Sequence, residues 1–234
     1  MSIFAIADLH LSFSENVRKP MDVFGGEWVN HTEKLKRNWE ETVSEKDTVI
    51  VAGDISWALK PDDATADLNW IRGLPGRKIF IKGNHDLWWP STRKLNQLYD
   101  EDARFLQNNF FEADGAAICG SRGWICPWDD GFTEHDEKIY KREILRLSVS
   151  LESARSAGFT EIIGATHFPP AGDKQRTSGF TELFEAYGVK KVFYGHLHGE
   201  EWFKTGIRGT VNGVTYQLVS LDYLKCVPFR IEEG

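Results

Sequence analysis

Residues 77–86, with the sequence Arg-Lys-Ile-Phe-Ile-Lys-Gly-Asn-His-Asp, place a short apolar run directly before a glycine and three polar residues. The β-branched and aromatic run predicts a buried strand. Gly83 permits a sharp turn of the backbone, and an ordinary turn does not need three polar side chains after it. The segment therefore predicts a strand that ends at a functional site.

The same arrangement, a strand followed at once by polar side chains, recurs four times. The other segments are Asp8-x-His10 after strand 3–7, Gly53-Asp54 after strand 47–52, Thr166-His167 after strand 161–166, and Gly195-His196-x-His198 after strand 190–194. Because the carboxyl ends of strands in an open α/β sheet converge on one crevice, we expect these side chains to meet there. His31 and His135 lie outside these segments and are expected to be exposed to solvent.

The segments between these sites predict a layered α/β fold in one domain, 1–234. Apolar residues recur at helical spacing in segments 32–43 (with Thr32 as N-cap), 61–72, 91–99, 136–157 and 180–187. Further strands are predicted at 110–113, 116–120, 206–211, 214–220 and 228–231. The segment at about 105–135 is rich in Gly, aromatic residues and Asp, and we expect it to be variable. We find no repeat, low-complexity tract or linker.

Composition limits the class of protein. The chain has 234 residues, 41% of them hydrophobic, and 35 acidic against 28 basic residues give a net charge of −7. This composition argues against disorder, and the charge argues against a broad nucleic-acid or anionic-membrane surface. The odd count of three cysteines, without a Cys-x-x-Cys motif, predicts buried free thiols and a cytoplasmic location. We expect neither a signal peptide nor a membrane-spanning helix.

The polar side chains at the strand ends form a plausible metal-ligand set: two carboxylates, one amide oxygen and four imidazoles. Mixed nitrogen and oxygen ligands favour Mn, Fe, Zn or Co over Ca or Mg. The set is too large for one four-coordinate ion with an open position. Two divalent transition ions about 3.5–4 Å apart, bridged by a carboxylate, would use it well.

Together the five motifs resemble those of the calcineurin-like metallophosphoesterase superfamily, with the Gly-Asn-His-Asp form of its third motif. The resemblance implies a four-layer α/β/β/α sandwich, two mixed sheets flanked by helices, and a dinuclear metal centre. By position, Asp8, His10 and His198 would bind the first ion, Asn84, His167 and His196 the second, and Asp54 would bridge them. A hydroxide between the ions would attack phosphorus in line. His85 would assist the leaving group, with Asp86 orienting it.

The sequence around the motifs favours a small phosphodiester or phosphomonoester as substrate. The second motif, residues 53–58, lacks the arginine with which protein phosphatases of the superfamily hold phosphate. Arg122, Lys174 and Arg176 are candidate phosphate contacts, although a solvated surface charge is the more frequent role of such a residue. Five tryptophans either wall a pocket or pack the edge of the sandwich: Trp57, Trp88, Trp89, Trp124 and Trp128.

Three alternatives stay open at this stage. A nuclease acting on single-stranded nucleic acid could use the tryptophans as stacking platforms, although the net charge disfavours it. A non-catalytic metal-binding scaffold would keep the fold without turnover. An amidase could use the same ligands. We expect no membrane partner, and neither a heptad pattern nor an apolar stripe predicts an oligomeric state.

Overall fold

Within residues 1–99 and 102–232, which the computed structural model describes, two mixed β-sheets pack face to face and helices cover their outer faces. The strands are β1 (Ile3–Ile6), β2 (Thr48–Ala52), β3 (Arg77–Ile81), β4 (Ala103–Leu106), β5 (Phe110–Ala113), β6 (Ala116–Ser121), β7 (Ile162–Thr166), β8 (Lys191–Tyr194), β9 (Gly209–Val211), β10 (Val214–Leu218) and β11 (Phe229–Ile231). The helices are α1 (His31–Thr42), α2 (Pro61–Arg72), α3 (Thr92–Leu98), α4 (Glu134–Ser156) and α5 (Gly179–Ala186). The predicted α/β/β/α sandwich is confirmed.

The strand order brings the carboxyl ends of the parallel strands together. The first sheet has the order β11-β1-β2-β3-β4, in which β1 to β4 are parallel. The second has the order β5-β6-β7-β8-β10-β9, in which β6, β7, β8 and β10 are parallel. Ala7, just after β1, forms a parallel bridge with Ser220, just after β10. The two sheets therefore join at the edge where the polar motifs lie.

Alternation along the strands explains the three apolar layers of the core. In β1, Phe4 and Ile6 face the helices, whereas Ile3 and Ala5 face the second sheet. Since both faces of the sheet are covered, its strands are almost continuously apolar, which is why the sequence identified them. All three cysteines are free and buried, as predicted.

Three local predictions need correction. Helix α1 begins at His31 after Asn30 (φ 51°), not after a Thr32 cap. The strand predicted at 206–211 is limited to β9, and strand β4 was not predicted. The capping box of Thr133 and Asp136 starts α4 two residues earlier than expected, at Glu134.

His31 is buried, contrary to the prediction that it is solvated. Its Nε2 lies 3.1 Å from the carbonyl oxygen of Leu9, and the Trp28 ring packs against its ring at 5.6 Å. The short 3₁₀ turns Met21–Phe24 and Gly26–Trp28 precede this helix and bring Trp28 onto it. His135 is exposed as predicted. No helix among the described residues combines the length and the apolar character needed to cross a membrane.

Candidate metal centre

The backbone at the strand ends adopts unusual conformations. Asp8, His10, Asp54 and His196 all have positive φ angles, of 62°, 47°, 51° and 73°. Such angles cost free energy in residues other than glycine and cluster at functional sites, where the surrounding structure holds them. Four of the ten described non-glycine residues with positive φ angles thus lie in the sequence motifs.

The motif glycines leave space for the polar side chains. A Cβ at Gly83 would overlap the Asp54 carboxylate, and one at Gly195 would lie 2.5 Å from Asp8 Oδ2. A Cβ at Gly53 would lie 2.5 Å from His167 Nδ1, and Gly53 also has a φ of 91°. The left-handed turn expected from such glycines applies only to Gly53. At Gly83 and Gly195 the close approach of a carboxylate is what requires glycine.

The Asp54 carboxylate lies at the centre of the site. Its Oδ1 accepts a hydrogen bond from the backbone N–H of His85 at 2.8 Å. Its Oδ2 faces three imidazole Nε2 atoms, those of His167 at 3.4 Å, His10 at 3.8 Å and His85 at 4.0 Å. Ligand atoms about 2.0–2.2 Å from a shared ion lie roughly 3–3.5 Å from one another. The spacing around Asp54 Oδ2 is close to this.

Three donors on one side of Asp54, which we call the tight half, contact one another directly. Asn84 Oδ1 lies 2.7 Å from His167 Nε2 and 3.0 Å from His196 Nδ1, and these two nitrogens are 3.3 Å apart. His167 Nδ1 donates to the carbonyl of Ala52 at 3.0 Å, which fixes the ring. Nε2 is therefore the His167 nitrogen that is directed towards Asn84 and His196.

On the other side lie Asp8, His10 and His198, which we call the open half. Their ligand atoms all lie within 4.8 Å of one another, and His198 Nε2 is 3.7 Å from Asp8 Oδ1. His198 Nδ1 donates to Asp222 Oδ1 at 3.0 Å. A carboxylate on the second ring nitrogen is the usual way to orient a metal-binding histidine.

The carboxylates and imidazoles of the site shift one another's pKa values. Burial raises the pKa of Asp8 to about 6. Burial opposes ionisation of Asp54 too, but His167 outweighs it and lowers the pKa of Asp54. His167 is itself buried, yet Asp54 raises its pKa to about 9, whereas burial lowers the pKa of His196 to about 3. Within the described part of the chain, the buried Nδ1 of His10 also has no hydrogen-bond partner. Convergent oxygen and nitrogen donors of this kind fit divalent cations.

His85 lies at the mouth of the site and is more exposed than the donors Asp8, His10, Asp54, His167 and His198. Its side chain is 43% exposed, compared with 32% for His198 and 0% for His167. The Trp57 ring packs against it with a centroid distance of 4.4 Å and also stacks on His10 at 4.6 Å. His85 is therefore held beside the donors while it remains open to a bound molecule.

The predicted contact between Asp86 and His85 is absent from the described hydrogen bonds. Asp86 Oδ1 accepts from the backbone N–H groups of Ile55 and Ser56 and from Trp88 Nε1, and Oδ2 accepts from the backbone N–H of Gly83. These four donors satisfy the fully buried carboxylate. Asp86 therefore ties the loop after β2 to the loop after β3, and it positions both motifs without touching the His85 ring.

The three predicted phosphate contacts have different surroundings. Arg122 adjoins the tight half, because its carbonyl accepts from the backbone N–H groups of His167 and Phe168 at 3.0 Å. Its guanidinium pairs with Glu143 at 3.5 Å. Lys174 and Arg176 are exposed, and Arg176 donates to the carbonyl of Arg208. The described contacts do not join these last two side chains to the donors.

The five tryptophans also differ in their surroundings. Trp88 and Trp89 are buried in the core beneath the first sheet, which removes them as stacking platforms for single-stranded nucleic acid. Trp57 contacts the site, as described above. Trp124 packs over Arg122 at 4.4 Å, and Trp128 is 38% exposed.

Sequence analysis missed Asp222, Trp28 and Phe168. The Trp28 ring packs on His10 at 5.7 Å and on His198 at 5.3 Å, and Phe168 packs on His196 at 4.2 Å. Asp222 had a detectable signal, because it follows β10, which is parallel to β8 and ends at the same edge. The tryptophan and phenylalanine carried no comparable signal.

This fold and these converging donors define a metal-dependent phosphoester hydrolase. The family model for calcineurin-like phosphoesterases matches residues 1–200. The chain belongs to the calcineurin-like phosphoesterase family and is a metallophosphoesterase, whose members use divalent metal ions.

The relatives match different shares of the chain. Gene 66 protein of Mycobacterium phage D29 is 34% identical over 245 aligned residues, covering 100% of this chain and 98% of the phage protein. The uncharacterized protein MJ1445 of Methanocaldococcus jannaschii is 27% identical, covering 64% of this chain and 82% of its own. Among solved structures, phosphopantetheinyl hydrolase of Mycobacterium tuberculosis superposes with a TM-score of 0.58 at 15% identity, covering 100% of this chain and 96% of that one. At this identity the likeness concerns the fold.

Proposed function

We propose that this protein hydrolyses a small phosphodiester or phosphomonoester with the help of two divalent transition ions. The observation that carries the proposal is the convergence of six donor side chains around a seventh, Asp54, with His85 at their exposed side. Family membership supports phosphoester hydrolysis. The geometry supports the assignment of this activity to these side chains.

In this proposal each half of the site holds one ion. The open half, Asp8, His10 and His198, takes the first, and the tight half, Asn84, His167 and His196, takes the second. Asp54 serves both, because its Oδ2 faces His10 on one side and His167 on the other. When bound, such ions polarise phosphoryl oxygens and lower the pKa of a coordinated water. The protein contributes the strained, glycine-lined backbone that fixes the donors before the ions bind.

His85 supplies the proton for the leaving oxygen. Its backbone N–H is held by Asp54 Oδ1, and its ring is held by contact with Trp57. His85 is thus held at its backbone and at its ring, while the exposed edge of the ring can reach a substrate. General acid assistance of this kind contributes about 10²–10⁴-fold to a rate.

The test compares His85→Ala with the unaltered protein after removal of metal with a chelator and addition of Mn²⁺. We expect hydrolysis of bis-p-nitrophenyl phosphate or p-nitrophenyl phosphate to require the metal, and the faster substrate identifies the diester or monoester class. His85→Ala should bind both ions and lose about 10²–10⁴-fold in turnover. His135→Ala, an exposed histidine on α4, is the control and should keep its activity. Loss of metal from His85→Ala, or undiminished turnover, would remove His85 from this role.

The solved neighbour suggests one natural substrate class to include. The Mycobacterium tuberculosis protein is a phosphopantetheinyl hydrolase, so phosphopantetheinyl compounds belong in the first panel. Turnover of these compounds but of neither nitrophenyl ester would keep the hydrolase assignment and narrow the substrate.

A further inference from the structure

A basic pocket lies beside the tight half of the metal centre. It has a volume of about 220 Å³ and is lined by Lys82, Gln107, Arg122, Arg142, Glu143 and Arg146, together with one leucine. A phosphate group takes the space of roughly two to three waters of about 30 Å³ each. The pocket is therefore large enough for one.

The charges of the basic pocket do not balance. Four cationic side chains surround one carboxylate, so the local net charge is 4 − 1 = +3, in a chain whose net charge is −7. Arg122, Arg142 and Arg146 all contact the same atom, Oε1 of the fully buried Glu143, at 3.5, 3.3 and 2.7 Å. Lys82 makes no ion pair with any described residue.

A purely structural role accounts for only part of this cluster. Arg146 has its hydrogen bonds satisfied, because it pairs with Glu143 and donates to the amide oxygen of Gln107 at 3.0 Å in the amide orientation that satisfies both groups. This arrangement fastens α4 to the end of β4. It gives no reason for Lys82, and it leaves the buried Nε of Arg122 without a hydrogen-bond partner among the described residues.

The basic pocket adjoins the reacting centre through two backbone connections. Lys82 is separated from Asn84 by one residue, a distance of about 7 Å along an extended chain. The carbonyl of Arg122 accepts from the backbone N–H of His167 at 3.0 Å. A small molecule whose phosphoester lies at the metal centre could therefore place a second anionic group in the basic pocket.

We propose that the basic pocket binds a second phosphate group of the substrate, so that the natural substrate is a small phosphoester carrying an additional phosphate. This inference rests on the proposed function. Fork-shaped guanidinium groups match phosphate oxygens well, and the surplus of three positive charges matches a phosphate dianion more closely than a neutral group.

The first experiment measures inhibition of bis-p-nitrophenyl phosphate hydrolysis by the Mn²⁺-loaded protein. The probes are butane-1,4-diyl bisphosphate, butyl phosphate, and butyl phosphate with added inorganic phosphate. We expect the bisphosphate to inhibit about 10–100-fold more tightly than the monophosphate. Equal inhibition by the two would overturn the proposal. It would equally be overturned if butyl phosphate with an equal concentration of free phosphate inhibited as tightly as the bisphosphate, because one molecule would then gain nothing from carrying both groups.

Variants assign the effect to the basic pocket. Arg142→Gln, whose side chain is 50% exposed, should remove most of the preference for the bisphosphate, and Lys82→Gln should do the same. Lys141→Gln is the matched control, because Lys141 is on the same helix and pairs only with Glu137 in the described contacts. Its preference should be unchanged. A preference that persists in both pocket variants would overturn the assignment.

A second readout does not depend on turnover. Inorganic phosphate should raise the Tm of the metal-stripped protein and of Lys141→Gln, and the rise should fall by at least half in Arg142→Gln. An equal rise in all three proteins would overturn the assignment. Failure of the unaltered protein to hydrolyse any phosphoester would instead overturn the proposed function, so the two failures are distinguishable.

Discussion

The two halves of the metal centre are built differently. In the tight half, Asn84, His167 and His196 contact one another at 2.7–3.3 Å. In the open half, His198 lies 3.7 Å from Asp8, and the imidazoles depend on groups outside the donor set. Asp222 orients His198, and Trp28 packs on both imidazoles.

This difference shows which residues fix the positions of the donor atoms in each half. The tight half is positioned mainly by its own side chains at three strand ends, because its donors contact one another. The Ala52 carbonyl and the Phe168 ring add to this support. The open half is positioned by residues distant in sequence, since Asp222 lies 24 residues after His198. Substitution of residues outside the donor set should therefore lower the affinity for the ion of the open half more than the affinity for the ion of the tight half.

The largest effect should come from Gly83→Ala, which would disturb both halves at once. A Cβ at this position overlaps the Asp54 carboxylate and its backbone nitrogen, and these atoms cannot move without shifting the shared ligand. We expect loss of both ions and of turnover. Gly73→Ala, where the nearest atom would lie 3.4 Å away, is the control. Metal content and activity that survive in Gly83→Ala would show that the close approach is not needed.

Removing one histidine from each half should show which donors determine the affinity for each ion. His167 contacts Asp54 as well as Asn84 and His196, so His167→Ala should weaken binding of both ions. His198→Ala should spare the ion of the tight half. Each loss should exceed the ~10–100-fold that removal of an outer-shell partner costs, as measured by calorimetric titration with Mn²⁺. Equal titration curves for the two variants would contradict the division into halves.

A smaller and more selective effect is expected for Asp222→Asn. This change keeps the shape of the side chain but removes the charge that orients His198 Nδ1. The affinity for one ion should fall by about 10–100-fold, while the second ion binds as before. Asp173→Asn, an exposed carboxylate, provides the comparison. If both ions weaken together in Asp222→Asn, the open half is not independently supported.

The donors themselves could be predicted because they are local: each follows an apolar strand, and parallel strands deliver their ends to one edge. The residues that orient the donors could not be predicted, because they act through contacts between residues distant in sequence. Asp86 accepts from Ile55 and Ser56, 31 and 30 residues away, so its adjacency to His85 was misleading. Trp28 covers His31 and packs on His10 through a turn that no periodicity marks. Strand β4 has four residues and contains Arg104, which left little apolar signal.

The most direct test of the central claim is the number of Mn²⁺ ions bound per chain, measured on the chelator-stripped protein together with phosphoester turnover at each step of the titration. The account predicts two ions, with turnover rising as the second binds. It also predicts two ions in His85→Ala, with turnover still low. Saturation at one ion with full activity would contradict the division of the site into two cooperating halves.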